Sequence, residues 1–310
     1  MRRVIFLILP DLEILDLAGP LQALHEANRC GADYDIQLCG PVSEPRTDQG
    51  LRLAGLQPLP EVAGGDLVFV PGIRLASLGG VNRGVLDWLR TAHKMGAHLC
   101  SVCTGAFVLG QAGLLDGRQC TTHWTRTEEL QKCYPRAKVL TNRLFVEDGP
   151  VTTSAGIAAG IDLALSVVER MHGPRLTAAV AREMVIYLRR DGTHQQESVY
   201  LEYRAHIHRG VHRAQDLLTS EPERRLKLGE LARAAHMSER SLTRAFRRAT
   251  GISVGEYVAK LRLELAKSLM ADPQLSLEAV AARSGFDSAR QLRRTCKKVL
   301  GVPPSSFRRK

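Results

Sequence analysis

No apolar run in this 310-residue chain approaches the length of ~20 residues that a membrane-crossing helix needs. Met1-Arg2-Arg3 followed by VIFLIL has the look of a secretory leader, but Asp11, Glu13 and Asp16 end the apolar stretch early. The stretch therefore reads as a buried first strand, and the expected location is the cytoplasm, with no membrane partner. The seven cysteines (Cys30, Cys39, Cys100, Cys103, Cys120, Cys133 and Cys296) are odd in number and lack disulfide-framework spacing, which suits a reducing compartment. Cys100-x-x-Cys103 is half of a zinc or redox motif with no second pair, and His194, His206, His208 and His212 are scattered. No metal and no cofactor is expected. Residues 1–220 also lack net charge, with 23 basic and 23 acidic side chains. The whole excess of +11 lies in residues 221–310, which hold 20 of the 43 Lys and Arg but 9 of the 32 Asp and Glu. Such a concentration predicts a polyanion partner for that segment, because Lys and Arg replace the counterions condensed on phosphates.

That basic segment contains one pattern twice. LGELARAAHMSERSLTRAFRRATG (228–251) is followed by LEAVAARSGFDSARQLRRTCKKVLG (277–301). Leu228, Ala232 and Met237 correspond to Leu277, Ala281 and Phe286. With one residue inserted, Leu242, Phe246, Arg247, Arg248 and Gly251 correspond to Leu292, Cys296, Lys297, Lys298 and Gly301. In each copy a short apolar stripe is followed by a helix-capping residue, Ser238 in the first and Asp287 or Ser288 in the second. Gly285 permits the tight turn. The capped helix then buries Leu242, Ala245, Phe246 and Ala249 and turns Arg240, Thr243, Arg244, Arg247 and Arg248 outward. Arg290, Gln291, Arg293 and Arg294 occupy the first turns of the second copy. A recognition helix reads base edges mainly through its N-terminal residues; Arg takes guanine and Gln takes adenine by two hydrogen bonds. A helix over Val254–Met270, apolar on two faces, joins the copies.

These residues, and the terminal GFDSxxxLRRTCKKxxGVPPSSFR pattern, resemble the AraC family of transcription regulators. The resemblance implies double-stranded DNA as partner. It makes Arg240, Thr243 and Arg244 readers in the first helix-turn-helix, with Arg247 on the same basic face, and Arg290, Gln291 and Arg294 readers in the second. Cys296 stands where the family usually has an aromatic.

The first part of the chain alternates strands and helices. VIFLIL (4–9), YDIQLC (34–39), DLVFVPG (66–72) and HLCSV (98–102) read as buried strands, and Pro20–Arg29 and Asn82–Met95 as helices. Alternation of this kind predicts a parallel sheet in an α/β fold. In SVCTGAFVLGQAGLLDG, Cys103 falls at a sharp strand-to-helix turn, the nucleophile-elbow arrangement, where helix N–H groups favour a thiolate or a bound anion. ILDLAGP (14–20), VPG (70–72), the elbow segment (101–117), TTHW (121–124) and TSAGIAAGIDLAL (153–165) resemble the PfpI-like domains of the class I glutamine-amidotransferase-like superfamily. The resemblance implies a flavodoxin-like domain with Asp16, Cys103 and His123 in the acid, cysteine and histidine positions. Thr104 stands where protease-like members carry His directly after the cysteine.

The organisation expected is a ligand-sensing domain over 1–190, a linker over 191–220 and an all-α domain with two helix-turn-helix units over 221–310. Ile207, Val211, Ala214, Leu217 and Leu218 would place a short amphipathic helix in the linker. The combination resembles the GlxA-type subgroup of AraC regulators. That likeness implies a transcription activator, not an enzyme, controlled by a small nitrogen-containing metabolite. The expected ligand pocket comprises Asp16, Gly72, Ile73, Cys103, Thr104 and His123. A homodimer is expected, with the helices at 156–172 and 177–188 as candidate dimer surfaces and RNA polymerase as a further partner. Two other readings remain open: a PfpI-superfamily enzyme of the isonitrile hydratase or glyoxalase type working through Cys103, His123 and Asp16, and a redox sensor in which Cys103 is oxidised to a sulfenic acid.

Overall fold

The computed structural model describes residues 1–186, 190–192, 196, 198–270, 272 and 274–307; Leu188, His194 and Arg308 lie outside them. The chain divides into two compact units, Met1–Gln196 and Glu197–Lys310. The first runs β1 (Arg2–Leu7), α1 (Ile14–Arg29), β2 (Tyr34–Cys39), β3 (Leu67–Val70), α2 (Arg83–Lys94), β4 (His98–Val102), α3 (Gly105–Gln111), β5 (Gln119–Cys120), α4 (Thr127–Cys133), β6 (Lys138–Val139), β7 (Phe145–Asp148), β8 (Val151–Ser154) and α5 (Ala158–Glu183). Short 3₁₀ turns lie at Leu75–Gly80 and Trp124–Arg126.

Six strands form one sheet in the order β2-β1-β3-β4-β8-β7, parallel except for β7, which runs antiparallel to β8. The parallel α/β architecture expected from the alternation is present. β3 and β8 are buried along their whole length, as strands covered on both faces must be. Strand order reverses between β1 and β3. In open α/β sheets, ligands bind outside the carboxyl ends of strands at such a switch point. The loops after β1, β3, β4 and β8 all leave the sheet at that edge.

Two local departures from the sequence reading are instructive. α1 begins at Ile14, not at Pro20, which sits inside the helix. The missing proline N–H costs one intrahelical bond. Close packing on α5 outweighs this: a Cβ at Gly19 would stand 2.9 Å from Ile161 Cγ1, and one at Gly160 would stand 3.5 Å from Pro20 Cδ. The two helices expected at 156–172 and 177–188 form one interrupted helix, α5, broken at Gly173 (φ 81°, ψ 173°) ahead of Pro174.

The second unit contains α6 (Val199–Glu202), α7 (Arg209–Ser220), α8 (Leu228–Ala234), α9 (Glu239–Thr250), α10 (Val254–Met270), α11 (Leu277–Arg283), α12 (Ala289–Leu300) and a 3₁₀ turn at Pro304–Phe307. It has two small cores. Val211, Ala214 and Leu218 of α7 join Leu231, Leu242, Phe246, Tyr257 and Leu261 in the first. Leu263, Ala266 and Met270 join Val280, Phe286, Leu292 and Cys296 in the second. α10 serves both, as its two apolar faces require. Leu269 packs on the second core. Lys267 is buried, paired with Glu264 at 2.7 Å and set over the Phe307 ring.

Candidate functional site

The elbow is built from four strand ends. β4 delivers Cys103 in a left-handed conformation (φ 54°), which a non-glycine residue holds only where its surroundings impose it. Its backbone N–H donates to Ser154 O at 3.0 Å, and its carbonyl accepts from Thr122 Oγ1 at 2.8 Å. α3 starts immediately afterwards, and glycine is needed there: a Cβ at Gly105 would overlap the Val70 carbonyl at the end of β3. The Cys103 side chain is flanked by two more glycines. A Cβ at Gly156 would overlap Cys103 Cβ and stand 2.7 Å from Sγ. One at Gly72 would overlap Asp16 Oδ2 and stand 3.1 Å from Cys103 Cβ. Thr104 Oγ1 donates to Ile73 O at 2.7 Å, closing the β3 end over the elbow.

Asp16 comes from the first turn of α1 and is fully buried. Its Oδ1 accepts the Ile157 N–H at 2.6 Å. That bond holds Ile157 at φ 48°, an unusual conformation for a β-branched residue. Burial pushes the Asp16 carboxyl up to about 6, with the Ile157 hydrogen bond opposing the shift. Burial also pushes the Cys103 thiol far above its ordinary range, and the Asp16 charge adds to the effect. Desolvation and the neighbouring carboxylate thus oppose the thiolate that the helix N–H groups would favour.

Cys103, Thr104, Ile73 and His123 line one cavity of about 350 Å³. Asp16 and Gly72, also expected in the pocket, are not among its lining residues; Gly72 packs against Asp16, Thr104 and Cys103. His123 reaches it from the turn before Trp124, where its Nδ1 sits 2.8 Å from Thr125 Oγ1 and accepts the Thr125 N–H. Burial and the nearby Arg126 lower its pKa. No hydrogen bond joins His123 to Cys103 among the described residues. The rest of the wall was not read from the sequence: Glu13, Asp48, Arg74, Leu75, Thr125, Arg126 and Ile157. Most of them adjoin a recognised motif in sequence. Asp48 had no such signal; a bridge from Leu12 to Thr47 brings it in, and Arg74 pairs with it. Glu13 accepts from Gln49 Nε2 at 2.6 Å. The cavity wall thus carries both signs of charge beside the apolar Ile73, Leu75 and Ile157.

A second candidate surface lies on the basic unit. Ser238 caps α9 by accepting the Ser241 N–H, and Ser288 caps α12 by accepting the Gln291 N–H, each at 3.2 Å. Both helices end on left-handed glycines, Gly251 and Gly301. Before α11's partner helix the turn uses Gly285 (φ 80°), as expected; the equivalent turn of the first copy uses His236 (φ 54°). Arg240, Thr243, Arg244, Arg247 and Arg248 are exposed along α9 and line a shallow concave surface with Leu228 and Glu239. Arg290, Arg293 and Arg294 are exposed on α12, with Gln291 half-buried. The described ion pairs of this unit engage Arg204, Arg224, Arg225, Lys260 and Lys267, leaving these arginines to solvent. The Gln291 carbonyl is occupied by the Asp287 N–H at 2.6 Å, and Thr243 Oγ1 donates to Glu239 O at 2.9 Å. No described helix is long and apolar enough to cross a membrane, and no described cluster of three His, Cys, Asp or Glu could hold a metal ion.

Comparison with known proteins identifies the family of each part of the chain. Residues 2–170 match the DJ-1/PfpI family, and residues 231–310 match a helix-turn-helix domain. The chain is 32% identical over 309 residues to the HTH-type transcriptional regulator CdhR of Pseudomonas aeruginosa, covering 98% of this chain and 90% of the relative. It is 33% identical over 171 residues to the isonitrile hydratase of Pseudomonas putida, covering 54% of this chain and 71% of that enzyme. An AraC family transcriptional regulator structure from Pseudomonas putida shares the fold at a TM-score of 0.53 and 24% identity, over 59% of this chain and 100% of that one. A parallel sheet ending in a cysteine elbow, joined in one chain to two arginine-faced helix-turn-helix units, thus has full-length relatives that regulate transcription, and the protein belongs to the AraC-family DNA-binding transcriptional regulators of the GlxA type.

Proposed function

We propose that the elbow cavity is the effector site of a transcription activator and that its ligand is a small nitrogen-containing metabolite. The observation that carries this reading is the state of Cys103. Burial and the Asp16 charge push its thiol pKa up, one Asp16 oxygen accepts the Ile157 N–H and His123 Nδ1 accepts the Thr125 N–H. A site arranged in this way binds better than it reacts. Ile73, Cys103, Thr104 and His123 contact the ligand, with Gly72 packed against Asp16, Thr104 and Cys103. The Glu13 carboxylate offers a partner to an amine.

The DNA contacts come from Arg240, Thr243, Arg244 and Arg247 of α9 and from Arg290, Gln291 and Arg294 of α12, entering successive major grooves. The protein acts in the cytoplasm as a homodimer and recruits RNA polymerase. The effector works by favouring one arrangement of the DNA-binding units over another, because only a difference in affinity between states shifts an equilibrium.

Genome-wide DNA occupancy of tagged protein tests this, with Cys103→Ala in parallel. Discrete promoter peaks that persist in the variant, with altered induction of the adjacent genes, are expected. Diffuse occupancy would overturn it. The likeness to an isonitrile hydratase sustains the enzyme reading as a second one. It requires isonitrile turnover by the purified protein that vanishes in Cys103→Ala.

A further inference from the structure

Next to the elbow cavity, and sharing its His123 and Ile157 walls, lies a smaller recess of about 170 Å³. Leu144, Ala155 and Ala159 form its apolar side and Trp124 its rim; Arg190 and Gln196 close it. These last two belong to the stretch that leaves the first unit for the DNA-binding unit. That stretch is attached at three places. Arg190 Nη2 pairs with Asp162 of α5 at 2.6 Å. Gly192 lies so close to Phe145 that a Cβ would stand 2.5 Å from its carbonyl oxygen and 3.0 Å from the ring. The Gln196 side-chain amide donates to the carbonyls of Thr122 and Arg143, both at 2.9 Å, while its backbone N–H donates to Asn142 Oδ1 at 2.9 Å. Thr122 precedes His123, and α5 begins directly after Ile157. The exit of the chain is therefore fastened to the same two elements that wall both cavities. Gln196 Oε1 is buried with no hydrogen-bond partner among the described residues.

We infer that the recess is a sensing lobe of the effector site. It admits a short, uncharged aliphatic part of the molecule held in the elbow cavity, and Gln196, its closing wall, passes occupancy to the chain that leads to the DNA-binding unit. The inference rests on the effector reading above. The apolar side selects the aliphatic group, since burying it there removes apolar area from water. Filling the lobe displaces Gln196, whose side-chain amide donates to the Thr122 and Arg143 carbonyls. Those bonds are replaced by water at little net loss, so a small ligand suffices to shift the balance.

The test uses the full-length protein and needs no identified ligand. Ala159→Leu places an aliphatic group in the lobe from its wall; Ala158→Leu does the same from an exposed position and guards against misfolding of the first variant. Gln196→Ala removes the fastening. Amide hydrogen exchange over residues 196–204 and transcript levels of the genes the protein occupies are measured. The expected result is at least tenfold faster exchange in both lobe variants and in Gln196→Ala, no further gain in the double variant, and transcript changes of the same sign in all. Wild-type exchange in both lobe variants would overturn the inference, as would faster exchange with unchanged transcripts. Thr125→Trp, which blocks the elbow cavity, separates the two readings across media with different nitrogen sources. If it alters the response while the lobe variants do not, only the lobe fails. If it leaves the response intact, the effector reading fails with it.

Discussion

Replacing Asp16 by Asn isolates the cost of burying a charge beneath the elbow. Asn keeps an Oδ1 for the Ile157 N–H and nearly the same shape, and it carries no charge. In the folded protein the Asp16 carboxyl rises from an ordinary 3.8 to about 6, chiefly through burial. The folded state therefore holds this proton more tightly than the unfolded chain. The contribution to stability grows as the pH falls through 6, is complete below the unfolded value, and is absent at neutral pH, where the carboxylate is buried charged. At about 1.4 kcal/mol per unit, the full excursion is on the order of 3 kcal/mol. Asp16→Asn should gain about that much relative to wild type between pH 4 and pH 8. His98 works the other way: burial carries its pKa down to about 4, so its stabilising neutral form is lost as the pH falls below its ordinary 6.5. His98 is present in both proteins and cancels in the difference. Both tryptophans, Trp88 and Trp124, lie in the first unit, so urea unfolding followed by tryptophan fluorescence reports that unit alone. A stability difference that is flat with pH, or that favours wild type as the pH rises, would refute the burial argument.

Other consequences are smaller in scope. Arg244→Ala and Arg294→Ala should each weaken operator binding by about 1–3 kcal/mol if bidentate to a base, read by fluorescence anisotropy; unchanged affinity would remove that arginine from the interface. His236→Gly should stabilise the second unit by about 1 kcal/mol, since glycine adopts the left-handed turn without the side-chain penalty, and a destabilised variant in thermal melts would show that the imidazole is needed there. Cys103 should be alkylated at pH 8 at least tenfold more slowly than the exposed Cys133 and faster in Asp16→Asn, by peptide mass spectrometry; a Cys103 as reactive as Cys133 would restore the catalytic reading.

The DNA-binding unit was the more legible half because its determinants are local. The stripes of α8 and α11, the Ser238 and Ser288 caps and the glycine ends all lie within one helix of the residues they position. The left-handed turn at His236 was invisible, since the residue type permits other conformations and only the surrounding pair of helices imposes this one. In the first unit the elbow itself was legible as a strand-to-helix turn. The cavity around it was legible only where its wall adjoins a motif. Arg74 and Asp48 reach it through the Leu12–Thr47 and Leu12–Ile73 bridges, long-range pairings that carry no local signature. β7 and β8 were not separated as strands because β8, VTTS, has hydroxyl side chains where buried strands usually carry aliphatic ones. Those hydroxyls are used: Thr153 Oγ1 accepts the Thr121 N–H at 2.8 Å.

Protonation was the least legible property of all, and it decides the chemistry. An acid, a thiol and an imidazole in this order are the same residue types that a hydrolase employs. Their function depends on which hydrogen bonds they make. Here one carboxylate oxygen holds the backbone at Ile157, the thiol is squeezed between Gly72 and Gly156 beside that carboxylate, and the imidazole accepts from Thr125. Asp16 and His123 each commit one atom to a backbone N–H that shapes the cavity. Removing the Asp16 charge lifts one of the effects that raise the Cys103 pKa and leaves the larger one, burial, in place, so Asp16→Asn speeds alkylation of Cys103 without making it as reactive as the exposed Cys133.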